Sequence, residues 1–167
     1  IFRHLQAHPE HRFHPIFNWF EEWCNDEFSH GEAFALLMKT DPKLTSGRNV
    51  YWIKFFLTAV YATMYVRDHQ RPVFHEALGV DPDWYAYQVY EKTSELSKQI
   101  FPIVLDIDHR NWQPLLVELQ KANADLAAAE KMRGPGGMLT RLGARVRAGT
   151  AFVRLLMLPA IRNDVPA

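Results

Sequence analysis

Cysteine is almost absent from this chain, which carries a single thiol, Cys24, in 167 residues. One cysteine excludes an internal disulfide framework and any zinc site built from several cysteines. Such a composition is typical of a reducing compartment. The first ten residues are polar and histidine-rich and do not resemble a secretory signal. We therefore expect a cytoplasmic location.

The chain also has a formal net charge of zero and no phosphate-binding loop. Nineteen Lys and Arg balance nineteen Asp and Glu, so no overall charge attracts nucleic acid. The absence of a Gly-rich phosphate loop excludes a nucleotide site of that type. Apolar residues, by contrast, are plentiful: 48% of the chain is hydrophobic and 13% is aromatic. This is enough for the core of one domain, or of a large part of one.

No stretch alternates as a half-buried strand, and apolar residues recur at helical spacing almost everywhere. The pattern predicts an all-α fold, with Asp81 as the N-cap of one helix. The segment 49–69 is the most aromatic, but Lys54, Thr58 and Thr63 make it too short and polar for a bilayer span. Predicted helices before the glycine-rich segment cover residues 1–7, 15–39, 49–69, 72–78, 82–100 and 111–132.

The segment 134–137, Gly-Pro-Gly-Gly, predicts a hinge that separates residues 1–133 from a basic amphipathic helix and tail at 138–167. Between Lys131 and Arg162 there are seven basic residues and no acidic one. This helix fits a peripheral contact with a membrane or an acidic partner, or else a terminal helix packed on the bundle with solvated arginines. Its predicted apolar stripe consists of Leu139, Leu142, Val146, Val153 and Leu156.

The most informative pattern is Asp26-Glu27-Phe28-Ser29-His30 in the predicted helix 15–39. Residues three apart share a helix face, so Glu27 and His30 can bind one metal ion. In di-iron four-helix bundles, two helices each supply such a Glu-x-x-His pair and the other two each supply a carboxylate. Asp26 is a natural second acid that orients the histidine. The alternative is a solvated pair, although neighbouring Trp19, Phe20 and Trp23 favour a partner for these charges.

Other groups are weaker candidates. The histidines His4, His8, His11 and His14 resemble a metal cluster, but Pro9 interrupts their helix and a solvated connection is the favoured interpretation. Glu91 and Glu95 could line a pocket or be solvated. Residues Asp106, Asp108 and His109 fit a cap or turn. Cys24 is expected to be a small buried residue rather than a nucleophile.

The chain resembles a known family in several blocks. The run from Pro15 to Gly31 is similar to a metal-ligand helix of the aerobic magnesium-protoporphyrin IX monomethyl ester (oxidative) cyclases. The resemblance continues over residues 60–65, 68–71 and 100–106, and in the tail 163–167. It implies the C-terminal portion of a ferritin-like di-iron helical bundle with extra C-terminal helices. Within that pattern Glu27 and His30 match iron ligands, Asp26 matches their supporting acid, and Ser29 stands where the family has Arg.

The resemblance also implies chemistry. The family converts magnesium-protoporphyrin IX 13-monomethyl ester to divinyl protochlorophyllide, closing the fifth ring of chlorophylls with O2 and NADPH-derived electrons from a reductase or ferredoxin. The remaining iron ligands are expected before residue 1, so this portion alone should be inactive. Composition alone, apart from the resemblance, suggests that the aromatic residues of segment 52–65 form apolar walls for the flat macrocycle. The protein is expected to be peripheral to the photosynthetic or inner membrane. The alternatives are a non-catalytic, membrane-docking helical protein and another ferritin-like di-iron protein.

Overall fold

The computed structural model describes residues 2–132 and 134–163 of the chain. The predicted all-α architecture is confirmed, and the helix over Asn49–His69 has the predicted bounds. Three 3-10 segments connect helices at Pro9–His11, Pro15–Trp19 and Pro42–Thr45. The α-helices are α1 (Phe2–Ala7), α2 (Phe20–Thr40), α3 (Asn49–His69), α4 (Pro72–Ala77), α5 (Pro82–Ser97), α6 (Trp112–Glu130) and α7 (Pro135–Met157). The closing family-like segment 163–167 lies outside the described residues beyond Asn163.

Two short strands are the main departure from the predicted secondary structure. Strand β1 (Ile103–Leu105) pairs antiparallel with β2 (Ala160–Arg162), in a register that places Val104 opposite Ile161. Every residue of β1 is buried, so its sequence lacks the apolar-polar alternation that marks a half-buried strand. Three residues are also too few to show any period. The pairing is therefore a tertiary contact, and it ties the end of α7 back to the segment after α5.

Helix α3 lies at the centre of the fold and packs against α5, α6, α7 and β1. Its Tyr61 ring stacks on Tyr90 of α5 at 4.6 Å between centroids. The Tyr90 hydroxyl donates to the Tyr61 carbonyl at 2.8 Å, which satisfies a buried polar group. Trp112 of α6 packs edge-on against both rings. Burial raises the pKa of the Tyr61 and Tyr90 hydroxyls, since an ionised phenolate would lose its hydration.

Helices α6 and α7 form a closely packed pair along a ladder of small residues. The small buried residues of α7 recur every seven positions at Gly137, Ala144 and Ala151, and Leu155 is buried on the same side. Helix α6 offers Ala122 and Ala129, also seven apart and buried. A period of seven keeps small side chains on one helix face, and small side chains let two helices approach closely. At the start of α7, Gly137 also approaches the connection between the two helices, because a Cβ there would lie 2.6 Å from the Met132 carbonyl oxygen.

The connection before α7 is shorter than the predicted hinge. Gly134 has a φ of +85°, a conformation that favours glycine. Pro135, Gly136 and Gly137 instead form the first turn of α7, where proline is well accommodated. The division of the chain at 134–137 into a bundle and a separate basic helix stays a prediction.

The side of α7 opposite the ladder is apolar and faces away from α6. We call it the α7 outer face, and its exposed residues are Met138, Leu139, Leu142, Val146, Val153 and Met157. The apolar stripe predicted from the sequence therefore lies mostly on the exposed side, while glycine and alanine make the contact with α6. None of the helices in the described part of the chain has a stretch long and apolar enough to cross a membrane.

Candidate metal centre

Glu27 and His30 lie on the same side of α2, as their spacing predicts. His30 Nδ1 is 3.8 Å from Glu27 Oε2, and His30 Nε2 is 3.9 Å from Asp26 Oδ1. Two donors of one transition metal, with bonds near 2.1 Å, are at most about 4.2 Å apart. The Glu27–His30 separation is therefore compatible with shared coordination through Nδ1, while Nε2 faces Asp26. All three side chains are more than half exposed.

The pair sits in the middle of an exposed apolar stripe. We call this stripe the α2 seam and define it as Trp23, Glu27, His30, Phe34 and Leu37, which follow one another at intervals of three or four. Its aromatic and aliphatic members are all exposed: Trp23 57%, Phe34 69% and Leu37 59%. Intervals of three and four residues are those of a helix-packing face. The carboxylate and imidazole therefore occupy a surface suited to contact with further helices.

Two neighbouring side chains fix the local geometry. The Trp23 indole Nε1 donates a 2.9 Å hydrogen bond to Glu27 Oε1. This bond leaves Oε2, the atom nearer to His30, for a metal. Ser29 donates to the backbone carbonyl of Asn25 at 3.0 Å. The hydroxyl therefore makes a local helix contact and does not bond to Asp26.

The donor set suits iron but would supply only two of the six ligand residues of a di-iron site. Carboxylate and imidazole are hard to intermediate donors that both ferrous and ferric iron accept. Within the described residues, Glu27 and His30 belong to no group of three His, Cys, Asp or Glu donors that converge within 4.8 Å. A di-iron bundle requires a second Glu-x-x-His pair and two more carboxylates. These residues fit one helix's share of the centre.

The histidine-rich segment is more organised than the sequence suggested. The rings of His4, His8 and His11 lie within 5.3 Å of one another. His4 Nε2 is 2.7 Å from the Leu78 carbonyl oxygen and 2.9 Å from His11 Nδ1. A carbonyl only accepts, so His4 Nε2 carries the hydrogen. Donor atoms of His8, Glu10 and His11 come within 4.8 Å of one another, but His8 and Glu10 are exposed.

The remaining candidates make ordinary local contacts. Glu95 accepts from Lys92 at 2.9 Å on the surface of α5. Asp108 accepts from the Tyr87 hydroxyl at 2.6 Å, which raises the pKa of that tyrosine. His109 Nδ1 accepts from the Asn111 backbone N–H at 3.1 Å, in the turn before α6. Cys24 is half-buried and free.

Sequence reasoning missed two polar features that tertiary packing assembles. Asp83 Oδ1 accepts from the Tyr65 hydroxyl at 2.7 Å and from Gln113 Nε2 at 2.8 Å, and it lies 3.1 Å from His69 Nε2. His75 is buried, with 3% of its surface exposed. The four members of the Asp83 cluster come from three helices, so no local sequence pattern could have identified it.

Comparisons with known proteins agree with the geometry. The rubrerythrin family model, which describes ferritin-like di-iron proteins, matches residues 1–38. This interval includes the α2 seam. No solved structure shows significant similarity to the chain.

Three curated relatives illustrate the similarity over the rest of the chain. The aerobic magnesium-protoporphyrin IX monomethyl ester (oxidative) cyclase of Rubrivivax gelatinosus is 48% identical over 167 residues, which are 100% of this chain and 47% of that protein. The corresponding cyclase of Synechococcus elongatus is 43% identical over 168 residues, 99% of this chain and 47% of that protein. That of Pyropia yezoensis is 48% identical over 110 residues, 65% of this chain and 32% of that protein. The chain is thus homologous along its whole length to magnesium-protoporphyrin IX monomethyl ester (oxidative) cyclases, and it spans about half the length of the curated relatives it matches.

Proposed function

We propose that this chain is the C-terminal portion of a di-iron oxygenase that closes the fifth ring of chlorophylls. The substrate would be magnesium-protoporphyrin IX 13-monomethyl ester and the product divinyl protochlorophyllide. The observation that carries the proposal is the Glu27–His30 pair at the centre of the exposed α2 seam, in a chain homologous to cyclases along its length.

The Glu27–His30 pair and two neighbouring side chains, Trp23 and Asp26, have distinct roles in this proposal. Glu27 Oε2 and His30 Nδ1 would hold iron, since they lie 3.8 Å apart on one helix face. Trp23 would orient the Glu27 carboxylate through its indole N–H. Asp26 would accept from His30 Nε2–H and keep the ring in the tautomer that leaves Nδ1 free for the metal. The bound di-iron centre would supply oxygen activation and oxidation of the substrate's methyl propionate arm.

The rest of the metal shell would come from the half of the relatives' length that this chain does not span. Helices that supply the second Glu-x-x-His pair must approach Glu27 and His30 closely. They would cover Trp23, Phe34 and Leu37, which accounts for an apolar surface that is exposed in this chain alone. Electrons derived from NADPH, through a reductase or ferredoxin, complete the proposed reaction with O2.

Iron analysis of the full-length protein tests the ligand assignment. The wild-type protein should contain about two irons per chain, and the E27A/H30A variant should lose them. Replacement of Glu32, an exposed glutamate of α2 off the seam, is the matched control and should leave iron unchanged. Iron content that survives the double replacement would show that the assignment is wrong.

Substrate turnover separates the cyclase from other ferritin-like di-iron proteins. The iron-loaded, full-length protein, given a reductant system, should convert the magnesium porphyrin ester to protochlorophyllide only in the presence of O2. Iron loading without any such conversion would favour a ferritin-like protein with another substrate.

We further propose that the α7 outer face contacts an anionic membrane surface. Arg145 lies on one flank of this face, and Arg141 lies beyond it towards the buried side; neither forms an ion pair among the described residues. On the other flank, Arg147 and Arg154 pair with Asp125 and Glu118 of α6 at 2.6 and 2.9 Å. An apolar face beside a row of unpaired cations is an arrangement by which interfacial helices bind anionic lipids.

Vesicle co-sedimentation tests the membrane contact. The full-length protein should bind vesicles that contain phosphatidylserine, and L142E/V146E should reduce this binding several-fold. The control T140E adds a charge on α7 outside the outer face. Equal binding by the double variant and wild type would refute the contact, and the location at the photosynthetic or inner membrane would lose its support.

A further inference from the structure

The turn that follows α1 brings three donor side chains together outside the α2 seam. We call residues His8–His11 the histidine turn. Its backbone is a 3-10 turn in which the His11 N–H donates to the His8 carbonyl at 3.0 Å. Side chains three positions apart eclipse one another in such a turn, and the two imidazole rings stack at 5.3 Å between centroids. Glu10 Oε1 lies 3.0 Å from His8 Nδ1. The turn therefore presents two imidazoles and one carboxylate on the same side.

The separations between these donors suit a single metal ion. One ligand atom from each of His8, Glu10 and His11 lies within 4.8 Å of the other two. Donors that share an ion with bonds near 2.1 Å are at most about 4.2 Å apart, and the His8–Glu10 contact already meets this limit. Both side chains are about half exposed or more, at 48% and 64%. Small side-chain rotations can therefore close the remaining gap without any repacking of the core.

The backbone of the histidine turn is anchored on a buried apolar cluster. Arg12, directly after the turn, donates from Nε to the Leu5 carbonyl at 2.9 Å. Directly before the turn, His4 Nε2–H donates to the Leu78 carbonyl at 2.7 Å. Leu5, Phe17 and Leu78 form one buried cluster. A metal ion would thus order exposed side chains on a backbone that is already held in place, which lowers the cost of binding.

The imidazole of His11 can serve as a ligand although it has a neighbour. His11 Nδ1 accepts from His4 Nε2–H at 2.9 Å. The same N–H has a second and closer acceptor, the Leu78 carbonyl. His11 Nδ1 can therefore exchange this contact for a metal bond without leaving His4 unpaired. The ring also lies beside Gly79, where an added Cβ would be 3.2 Å from His11 Cε1.

We propose that His8, Glu10 and His11 bind one divalent ion of the zinc class, at a site separate from the iron ligands Glu27 and His30. Two imidazole nitrogens and one carboxylate oxygen favour zinc and neighbouring first-row ions, whereas Mg²⁺ and Ca²⁺ prefer oxygen ligands alone. Three protein ligands leave the fourth position of a tetrahedral zinc ion to water. All three ligands lie in the described part of the chain, so the site goes beyond the proposed function and does not depend on it.

Zinc binding by the iron-loaded, full-length protein without a histidine tag tests the proposal. Equilibrium dialysis against zinc chloride, followed by elemental analysis, should find about one zinc ion per chain in addition to the iron. H8Q/H11Q should lose this zinc and keep its iron. H14Q, at an exposed histidine of the same segment outside the cluster, is the matched control and should keep both metals. E27A/H30A should keep the zinc, and near-ultraviolet circular dichroism should confirm that each variant is folded.

Thermal unfolding provides a second measurement. An ion that binds only the folded state stabilises it, so zinc should raise the unfolding midpoint of wild type and H14Q but not that of H8Q/H11Q. An equal rise in H8Q/H11Q, or zinc retained by this folded variant, would overturn the site, and so would wild type that takes up no zinc beyond its iron. Zinc lost from E27A/H30A but kept by H8Q/H11Q would assign the ion to the iron centre. Iron retained by E27A/H30A would contradict the proposed function and leave the zinc site standing.

Discussion

The indole N–H of Trp23 donates to Glu27 Oε1 across one turn of α2, at 2.9 Å. One carboxylate oxygen is thereby occupied, and the other faces His30. An aromatic residue of the α2 seam thus serves both as packing surface and as the hydrogen-bond donor that orients a metal ligand. Loss of such a supporting contact typically lowers metal affinity by roughly 10- to 100-fold.

Loss of this hydrogen bond should weaken iron binding. W23F keeps most of the apolar surface and removes the indole N–H, so we expect the iron affinity of the full-length protein to fall roughly tenfold or more. The measurement is retained iron during titration with a competing chelator. W19F is the control, because Trp19 is similarly exposed and its indole makes no hydrogen bond among the described residues. Equal iron retention by W23F and W19F would show that Trp23 does not orient the Glu27 carboxylate for iron binding.

Replacement of two glycines of α7 by alanine should change the stability of the protein in opposite directions. A Cβ on Gly143 would have nothing within 4 Å, whereas a Cβ on Gly137 would meet the Met132 carbonyl oxygen at 2.6 Å. G143A should stabilise the protein by about 0.5–1 kcal/mol, because alanine favours the helix. G137A should destabilise it, since the backbone contact must separate. Thermal unfolding midpoints measure both, and a similar shift for the two variants would contradict the close approach of Gly137 to the Met132 backbone.

Two tyrosine–aspartate hydrogen bonds should differ in their contribution to stability. The Tyr65 hydroxyl, in a residue only 2% exposed, donates to Asp83, whereas Tyr87 is exposed where it donates to Asp108. D83A should cost about 1 kcal/mol of unfolding free energy, because the hydroxyl of the buried residue Tyr65 loses its acceptor at the edge of the core. D108A should cause no measurable change, because water replaces the lost acceptor. Denaturant unfolding distinguishes the two, and equal effects would show that the Tyr65–Asp83 hydrogen bond stabilises the fold no more than the exposed Tyr87–Asp108 bond does.

Stability should decline at alkaline pH. Burial raises the pKa of Tyr61 and Tyr90, and burial together with Asp83 raises that of Tyr65. Above a pH of about 10, the unfolded chain loses these phenolic protons while the folded chain keeps them. The folded state then binds more protons, so the free energy of unfolding falls as pH rises.

This alkaline decline can be assigned to particular tyrosines. Y61F/Y90F should flatten the dependence, whereas Y51F, at an exposed position, should leave it unchanged. Tyrosinate absorbance and denaturant titrations across this range provide the measurement. A decline as steep in Y61F/Y90F as in wild type would mean that other groups cause it.

Local signals in the sequence were sufficient for most helices. Asp81 caps α5 by accepting from the Trp84 N–H at 2.8 Å, as its position before Pro82 predicted. The Asn49–His69 bounds and the Glu27–His30 geometry likewise follow from short-range spacing. Strand β1 could not be predicted from local signals, because its pairing with β2 joins segments more than fifty residues apart.

Local sequence signals also could not predict the orientation of α7. Its large apolar residues predicted a stripe, but that stripe could equally face the bundle or the solvent. The structure places Ala144 and Ala151 against α6 and leaves Leu142 and Val146 exposed. Hydrophobicity alone favours burial of the larger side chains, so only the close fit between two small-residue ladders explains the observed arrangement.

The sequence by itself determined most of the helices, the Asp81 cap of α5 and the pairing of one acid with one imidazole, because each depends on residues within one or two turns. Tertiary structure decided which surfaces are buried and which distant groups meet. It gathered His4, His8 and His11 beside Leu78. Those arrangements depend on how whole helices pack, and packing is set by shape complementarity between surfaces far apart in the chain.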